Sequence, residues 1–414
     1  MLQPNWIDDI IDECESVETP REWIYWSLLC AIAASAGSNY YLKAFGGKVT
    51  YFPNLYVILM GEPGLGKAFP VTLSKNLVDK ADVTRVIYGR SSIQAIIKDA
   101  SQTYTREGKE MILDSRCFIV NGELSTAIIG DPDSLTILTD IYDPHTIWVN
   151  NLKGDGKEKL KDTATTALFG SSPAHFYDKI PQENIEGGYI RRNLIIKAEK
   201  RYKDLDMFGL DDEDASDFPY AKFTPHLEDI SRFGGRMVPD SKTKEILNSF
   251  RRQWRLNQPE DKTGFANSVP DQIIKTAMNL CLSDYATFKS GIIQPSHMEE
   301  AIEKVVPLTH TSKAVSSGTG MDPLAKQTKM VLDFLLLAPD NQLARRQLLV
   351  KGHGNFDCDT LDKILSNLDE INWIVKIRIA AGKNSDIMVR LHGKPLQEYL
   401  NFMESRKKKK IKEG

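Results

Sequence analysis

Apolar residues run without a break from Leu55 to Met60, a pattern that leaves no side chain for water on either face. Leu55-Tyr56-Val57-Ile58-Leu59-Met60 therefore reads as a strand buried on both sides, as in a parallel sheet. Cys117-Phe118-Ile119-Val120 and Ala167-Leu168-Phe169 repeat the pattern, each far enough from its predecessor for a crossover. Trp23 to Ala34 is the other long apolar stretch, and it reads as a helix. Thr19-Pro20 predicts its N-cap with proline at N1, and Gly37 its end. Tyr40–Phe45 and Lys48–Phe52 flank Gly46-Gly47, a hairpin signal. From Ser241 to about Val315 the spacing turns helical: Lys244 to Trp254, Asp271 to Tyr285 after Pro270, and His297 to Val306 after Pro295-Ser296.

The segment from Val315 to Pro323 is small and polar, without periodicity, and predicts a linker. Beyond it, helices at Lys326–Leu337, Arg345–Val350 and Cys358–Ile371 precede strands at Trp373–Ala380 and Ile387–Leu391. Three helices followed by a hairpin predict a winged-helix domain. Such modules touch nucleic acid or other proteins. Lys376, Arg378, Lys383 and Arg390 on the hairpin, and the Arg406-Lys407-Lys408-Lys409-Lys410 tail, point to nucleic acid.

Composition bounds the rest. At 414 residues, with 41% hydrophobic and 26% charged residues, the chain is globular in type. The Ile24–Ala34 run is well short of the ~18 residues of a membrane span, and the first residues have no signal-peptide pattern, so a cytoplasmic protein with no membrane partner is expected. The net charge is −3, but residues 326–414 hold 17 Lys/Arg against 11 Asp/Glu, so a basic C-terminal module follows an acidic body. Asp204 to Asp217 reads as a solvated acidic loop. The five cysteines, Cys14, Cys30, Cys117, Cys281 and Cys358, lack metal-ligand spacing and read as buried thiols.

Gly61-Glu62-Pro63-Gly64-Leu65-Gly66-Lys67 follows the first buried strand directly. In G-x-x-x-x-G-K the glycines let backbone N–H groups wrap phosphate oxygens, the following helix adds its positive end, and Lys67 reaches the β- and γ-phosphates of ATP. Ala68 stands where a Ser or Thr hydroxyl would coordinate Mg²⁺, and Thr72 lies a helical turn further on. After the second strand comes Asn121-Gly122-Glu123-Leu124, with Gly122 in place of the Asp that would support the metal. Glu123 keeps the position of a base that polarises water. Both metal-ligand positions are substituted, so slow or absent hydrolysis is expected.

On these residues, and on Pro53-Asn54-Leu55-Tyr56, Gly122-Glu123-Leu124-Ser125, Gly170-Ser171-Ser172-Pro173 and Gly187-Gly188-Tyr189-Ile190-Arg191-Arg192-Asn193, the chain resembles the AAA+ P-loop ATPases. These include putative replicative helicases of phages, prophages and mobile genetic islands, which resemble the MCM helicases. The resemblance covers about residues 5–310. It implies an N-terminal helical region (1–47), a P-loop core (48–238) and a helical lid (239–314), followed by the linker (315–325), the winged-helix domain (326–395) and a basic tail (396–414). It also implies a homo-oligomeric ring, hexameric in that family, with Arg192 or Arg191 as an arginine finger on the neighbour's γ-phosphate. Ser171 falls at the sensor position and Lys275 at the lid's sensor position.

Ile147 to Lys161 reads as a hairpin with a Gly154-Asp155-Gly156 tip. In the ring helicases a hairpin here enters the channel, which makes Lys153, Lys157 and Lys159 candidates for the DNA backbone. A solvated loop is the other reading. The resemblance thus implies an ATP-driven DNA helicase or translocase of mobile-element replication, engaging single-stranded DNA. The alternative is a hydrolysis-deficient ring that loads or anchors a partner replication protein.

Overall fold

In the computed structural model the described residues are 5–89, 91–101, 104–106, 110–112, 115–124, 134–143, 146–152, 156–180, 188–205, 217–259, 263–316, 323–379 and 386–393. They form two compact units, residues 1–320 and 321–414, which divide inside the expected linker.

The first unit opens with α1 (Trp6–Glu13) and α2 (Arg21–Ala36), then the antiparallel pair β1 (Tyr40–Ala44) and β2 (Val49–Tyr51). It continues through β3 (Tyr56–Met60), α3 (Ala68–Ala81), β4 (Arg85–Tyr88), α4 (Ile93–Ala100), the short pair β5 (Tyr104–Arg106) and β6 (Glu110–Ile112), and β7 (Cys117–Asn121). After α5 (Ser134–Tyr142) come β8 (Ile147–Leu152), β9 (Gly156–Lys161), β10 (Thr166–Ser171), α6 (Pro173–Lys179), the single turn α7 (Tyr189–Arg192) and β11 (Asn193–Lys197).

Five of these strands make a wholly parallel sheet in the order β11-β3-β10-β7-β4. The reason lies in β3. Val57 and Leu59 join the core on one face, Tyr56, Ile58 and Met60 the core on the other, and all five are buried. The first core also holds α2 and α3; the second holds α4, α5 and α6, so helices cover both faces. From β3 the chain crosses to the far edge at β4, then returns through β7 and β10 before passing β3 to β11. The connections on either side of β3 thus depart in opposite directions, and a crevice opens at the carboxyl ends of β3 and β10.

Helix α2 is buried all round: fourteen of its sixteen residues are buried, and the Trp23 indole donates to the carbonyl of Ile196 at 2.9 Å. It shares its core with β3 and with helices α8 (Tyr220–Arg232), α10 (Phe265–Ser283) and α11 (Pro295–Val305). The boundaries drawn at 47 and 238 therefore separate no compact units. Three two-residue strands, β12 (Gly235–Arg236), β13 (Val238–Pro239) and β14 (Ile292–Ile293), and helices α9 (Ser241–Asn257) and α12 (Leu308–Ser316) complete the unit.

Two helix starts differ from the sequence expectation. Helix α2 begins at Arg21 with Pro20 as its cap, because the Thr19 hydroxyl donates to the carbonyl of Gly66 (3.2 Å) instead. Helix α10 begins at Phe265, not after Pro270. The proline removes the N–H that would reach the Ala266 carbonyl, and the Trp254 indole donates to that oxygen at 2.8 Å. The thiols also differ: Cys14, Cys30, Cys117 and Cys281 are buried, but Cys358 is exposed.

The second unit has three helices, α13 (Pro323–Leu336), α14 (Arg345–Lys351) and α15 (Cys358–Glu370). With them goes an antiparallel sheet of β15 (Gln342–Ala344), β16 (Ile374–Ile379) and β17 (Asp386–Leu391) in the order β15-β17-β16. Val331, Leu348, Leu361, Ile364 and Val389 are among its core residues. Among the described residues no helix is long and apolar enough to cross a membrane.

Candidate functional site

The crevice at the carboxyl end of β3 is walled by the Gly61–Lys67 loop. Gly64 and Gly66 have φ of 89° and 82°, a region other residues rarely enter, so the loop can curl as a phosphate cradle requires. Four of its carbonyls are engaged from outside or by Lys67. The Lys67 ammonium donates to Gly61 O and, at 3.1 Å, to Glu62 O; Arg201 Nη2 donates to Gly64 O at 3.2 Å; Thr19 takes Gly66 O. Gly61 N–H is spent on Ser171 O and Phe69 N–H on Gly66 O, so it is the amides between them that can serve an anion. Gly61 is required by close approach, since a Cβ there would lie 2.8 Å from the Trp23 ring. Partial burial pulls the Lys67 ammonium below its ordinary range, and the Glu123 and Glu62 carboxylates oppose that shift.

On the other wall β10 ends at Ser171, whose carbonyl accepts from Gly61 N–H at 3.2 Å and whose buried hydroxyl donates to Ser172 O at 3.2 Å. Because β10 lies between β3 and β7, Ser171 separates the loop from Glu123. Glu123 is held by its backbone: its N–H donates to Asn121 Oδ1 (2.9 Å), while Asn121 Nδ2 donates to Gly89 O (2.8 Å). The Glu123 carboxylate is 31% exposed and lies 3.6 Å from His175 Nδ1. Asn121 therefore braces Glu123 and does not replace the missing carboxylate at 122.

The residues fit a triphosphate better than they fit Mg²⁺. Ala68 presents an exposed methyl, and a Cβ at Gly122 would meet nothing within 4 Å, so neither position offers an oxygen. Among the described residues no cluster of three His, Cys, Asp or Glu could hold a metal. Thr72, exposed one turn beyond Ala68, is the nearest hydroxyl along α3.

Gly170 sits against this wall: a Cβ would lie 2.3 Å from the Gly122 carbonyl oxygen. Gly170→Ala is expected to push β10 from β7 and lower stability by about 2–3 kcal/mol, read as a lower urea midpoint. No sequence signal beyond the glycine itself marked that constraint.

Arg192 and Lys275 lie elsewhere. Arg192 precedes β11 and Lys275 bonds Asn54 ahead of β3, so both stand at the amino end of the sheet, a strand length of roughly 17 Å from the phosphate loop. Lys275 therefore does not reach its own subunit's loop. Arg192, 9% exposed, pairs with Asp143 and donates to Gly188 O at 3.0 Å; Arg191 beside it is exposed. Both arginines, Asp143, Asp271 and Lys275 line a cavity of about 360 Å³. The buried Lys275 donates to Asn54 Oδ1 (2.6 Å) and sits over the Tyr142 ring (4.2 Å).

The β8–β9 hairpin pairs Ile147 with Lys161 through to Leu152 with Gly156. Lys159 and Lys161 are exposed, beside Ile147 at 61% and Val149 at 40%. Lys153 and the Lys157 side chain lie outside the described residues, as do Lys383, Ser125, Gly187 and the 396–414 tail. In the second unit Arg378 is exposed, whereas Lys376 pairs with Asp369 at 3.3 Å. Arg345 is held bidentately by Asp362 at 2.6 and 2.7 Å. Helix α15 exposes Asp359, Asp362, Asp369 and Glu370 against one lysine, Lys363.

No family model matches the chain, and none of the curated proteins matches it.

Proposed function

We propose that the chain binds a nucleoside triphosphate at Gly61–Lys67 and acts, as its resemblance to AAA+ ATPases implies, in a homo-oligomeric ring on DNA. The observation carrying this reading is the loop after β3: positive-φ glycines, engaged carbonyls, and Lys67 at the mouth of a helix. Three features support the finer assignment. Glu123 faces the loop across Ser171, where it would orient a water. Arg191 is exposed at the opposite end of the sheet, where it can serve only a neighbouring subunit. A cationic hairpin at β8–β9 carries Lys159 and Lys161 to the surface. In this reading the work is that of a DNA helicase or translocase of a mobile element.

A second reading, a ring that holds nucleotide without turning it over and anchors a replication partner, is favoured by the two absent oxygens at Ala68 and Gly122. DNA contact by the winged-helix-like second unit would run through Arg378, Arg346, Lys351 and the basic tail. On α15, Asp362 and Asp369 are neutralised by Arg345 and Lys376, and the remaining Asp359 and Glu370 offer phosphate little, which suits a protein partner on that face better.

DNA affinity should fall steeply with salt, log K being linear in log[salt]. Lys157→Ala with Lys159→Ala should weaken single-strand binding about tenfold at protein concentrations that support assembly, and leave the tail-mediated part intact. Fluorescence anisotropy at several salt concentrations checks this. Negligible binding at low salt would remove DNA from the reading.

A further inference from the structure

We propose that the Gly61–Lys67 loop takes its nucleoside triphosphate free of a divalent cation, with Arg201 supplying the positive charge that Mg²⁺ would bring. The inference rests on the reading of that loop as a triphosphate site and names how its charge is balanced. A triphosphate stripped of metal is more negative than its chelate, so the protein must add a cation near the β- and γ-phosphates. The two positions that would hold the metal have no oxygen to give. Strand β11 runs beside β3, and Ala198 N–H donates to Met60 O at 2.9 Å, so the chain leaving β11 passes along the loop on the side away from Ser171. Three residues later it delivers Arg201, whose Nη2 already donates to Gly64 O at 3.2 Å.

The segment carrying Arg201 is fixed. Tyr202 N–H donates to Glu18 O (2.9 Å) and Leu205 N–H to Glu18 Oε1 (3.0 Å). Its guanidinium is paired with the Glu18 carboxylate and is 45% exposed, so it is anchored at the backbone while its tip sits in an ion pair that solvent reaches. A bound phosphate would compete with Glu18 for the planar fork, which matches phosphate oxygens bidentately. Lys67 and Arg201 would then flank the phosphates from two sides.

The test is ATP binding by the full-length protein, by calorimetry, in EDTA and in Mg²⁺. Wild type should bind equally within about threefold in the two conditions. Arg201→Gln, which keeps much of the aliphatic stem, should bind about tenfold or more weakly in EDTA, and Arg201→Lys, which keeps the charge without the fork, should recover only part of the loss. Ala68→Ser with Gly122→Asp should make binding depend on Mg²⁺. Binding by wild type only when Mg²⁺ is present, or equal binding by Arg201→Gln, overturns the inference and leaves the triphosphate site standing. No binding in either condition overturns both.

Discussion

Restoring both oxygen ligands, Ala68→Ser with Gly122→Asp, is expected to raise ATP hydrolysis by about 100-fold or more in Mg²⁺, the size of a few kcal/mol of charge stabilisation in the transition state. The structure has room for both. Ala68 is exposed at the first turn of α3, and a Cβ at Gly122 meets open space, since the tight contact there belongs to its carbonyl and Gly170. Either change alone should do much less, because one oxygen leaves the ion poorly held. Glu123→Gln in the restored background should abolish the gain. Steady-state phosphate release measures all five proteins; vigorous wild-type turnover, unaltered by the pair, would refute this account of the site.

Stability should rise between pH 7 and about 8.5, by up to about 1.4 kcal/mol per unit, and the slope should vanish in Lys275→Met. Burial pulls the Lys275 ammonium down to about 7; Asp143 and Asp271 resist that shift and Arg192 adds to it. The unfolded chain holds the same proton to the ordinary lysine value of 10.5, so over this window the unfolded state binds more protons and loses ground as pH climbs. Above it the sign reverses, because burial pushes the Cys14 and Cys281 thiols up to about 12 and they stay protonated only when folded. Denaturant midpoints at half-unit pH steps give the slope. In Lys275→Met the midpoint at pH 7 reports two opposed effects, loss of a buried charge and an orphaned Asn54 oxygen.

What the sequence showed and what it hid divide along the range of the interactions. The doubly buried β3, the glycine loop, the β8–β9 hairpin and the split near residue 320 follow from local patterns that few alternatives satisfy. Thr19 was legible as a cap and is not one, because its hydroxyl is claimed by Gly66, 47 residues away. Pro270 looked like a helix start because nothing nearby in sequence announces that Trp254 would satisfy Ala266. Arg201 carries no motif at all; only the alignment of β11 with β3 brings it to the loop. The charge of the second unit misled in another way. Its basic total is clear, yet Lys376 and Arg345 are tied to carboxylates on α15, an arrangement that depends on the packing of β16 and α14 against that helix.

Helix α2 has a consequence for how the protein is made. Its apolar surface faces β3, β10 and β11 on one side and α3, α8 and α10 elsewhere, and the last of these ends at Ser283. A ribosome adding about 5–20 residues per second needs roughly 10–50 s to pass from the end of α2 to the end of α10. β3 and α3 follow α2 closely and can cover part of it early, but for that time the side that packs on α10 has no native partner. An uncovered apolar helix side in the growing chain invites chaperone binding until α10 docks, so yield should depend on that protection as well as on the stability of the finished fold.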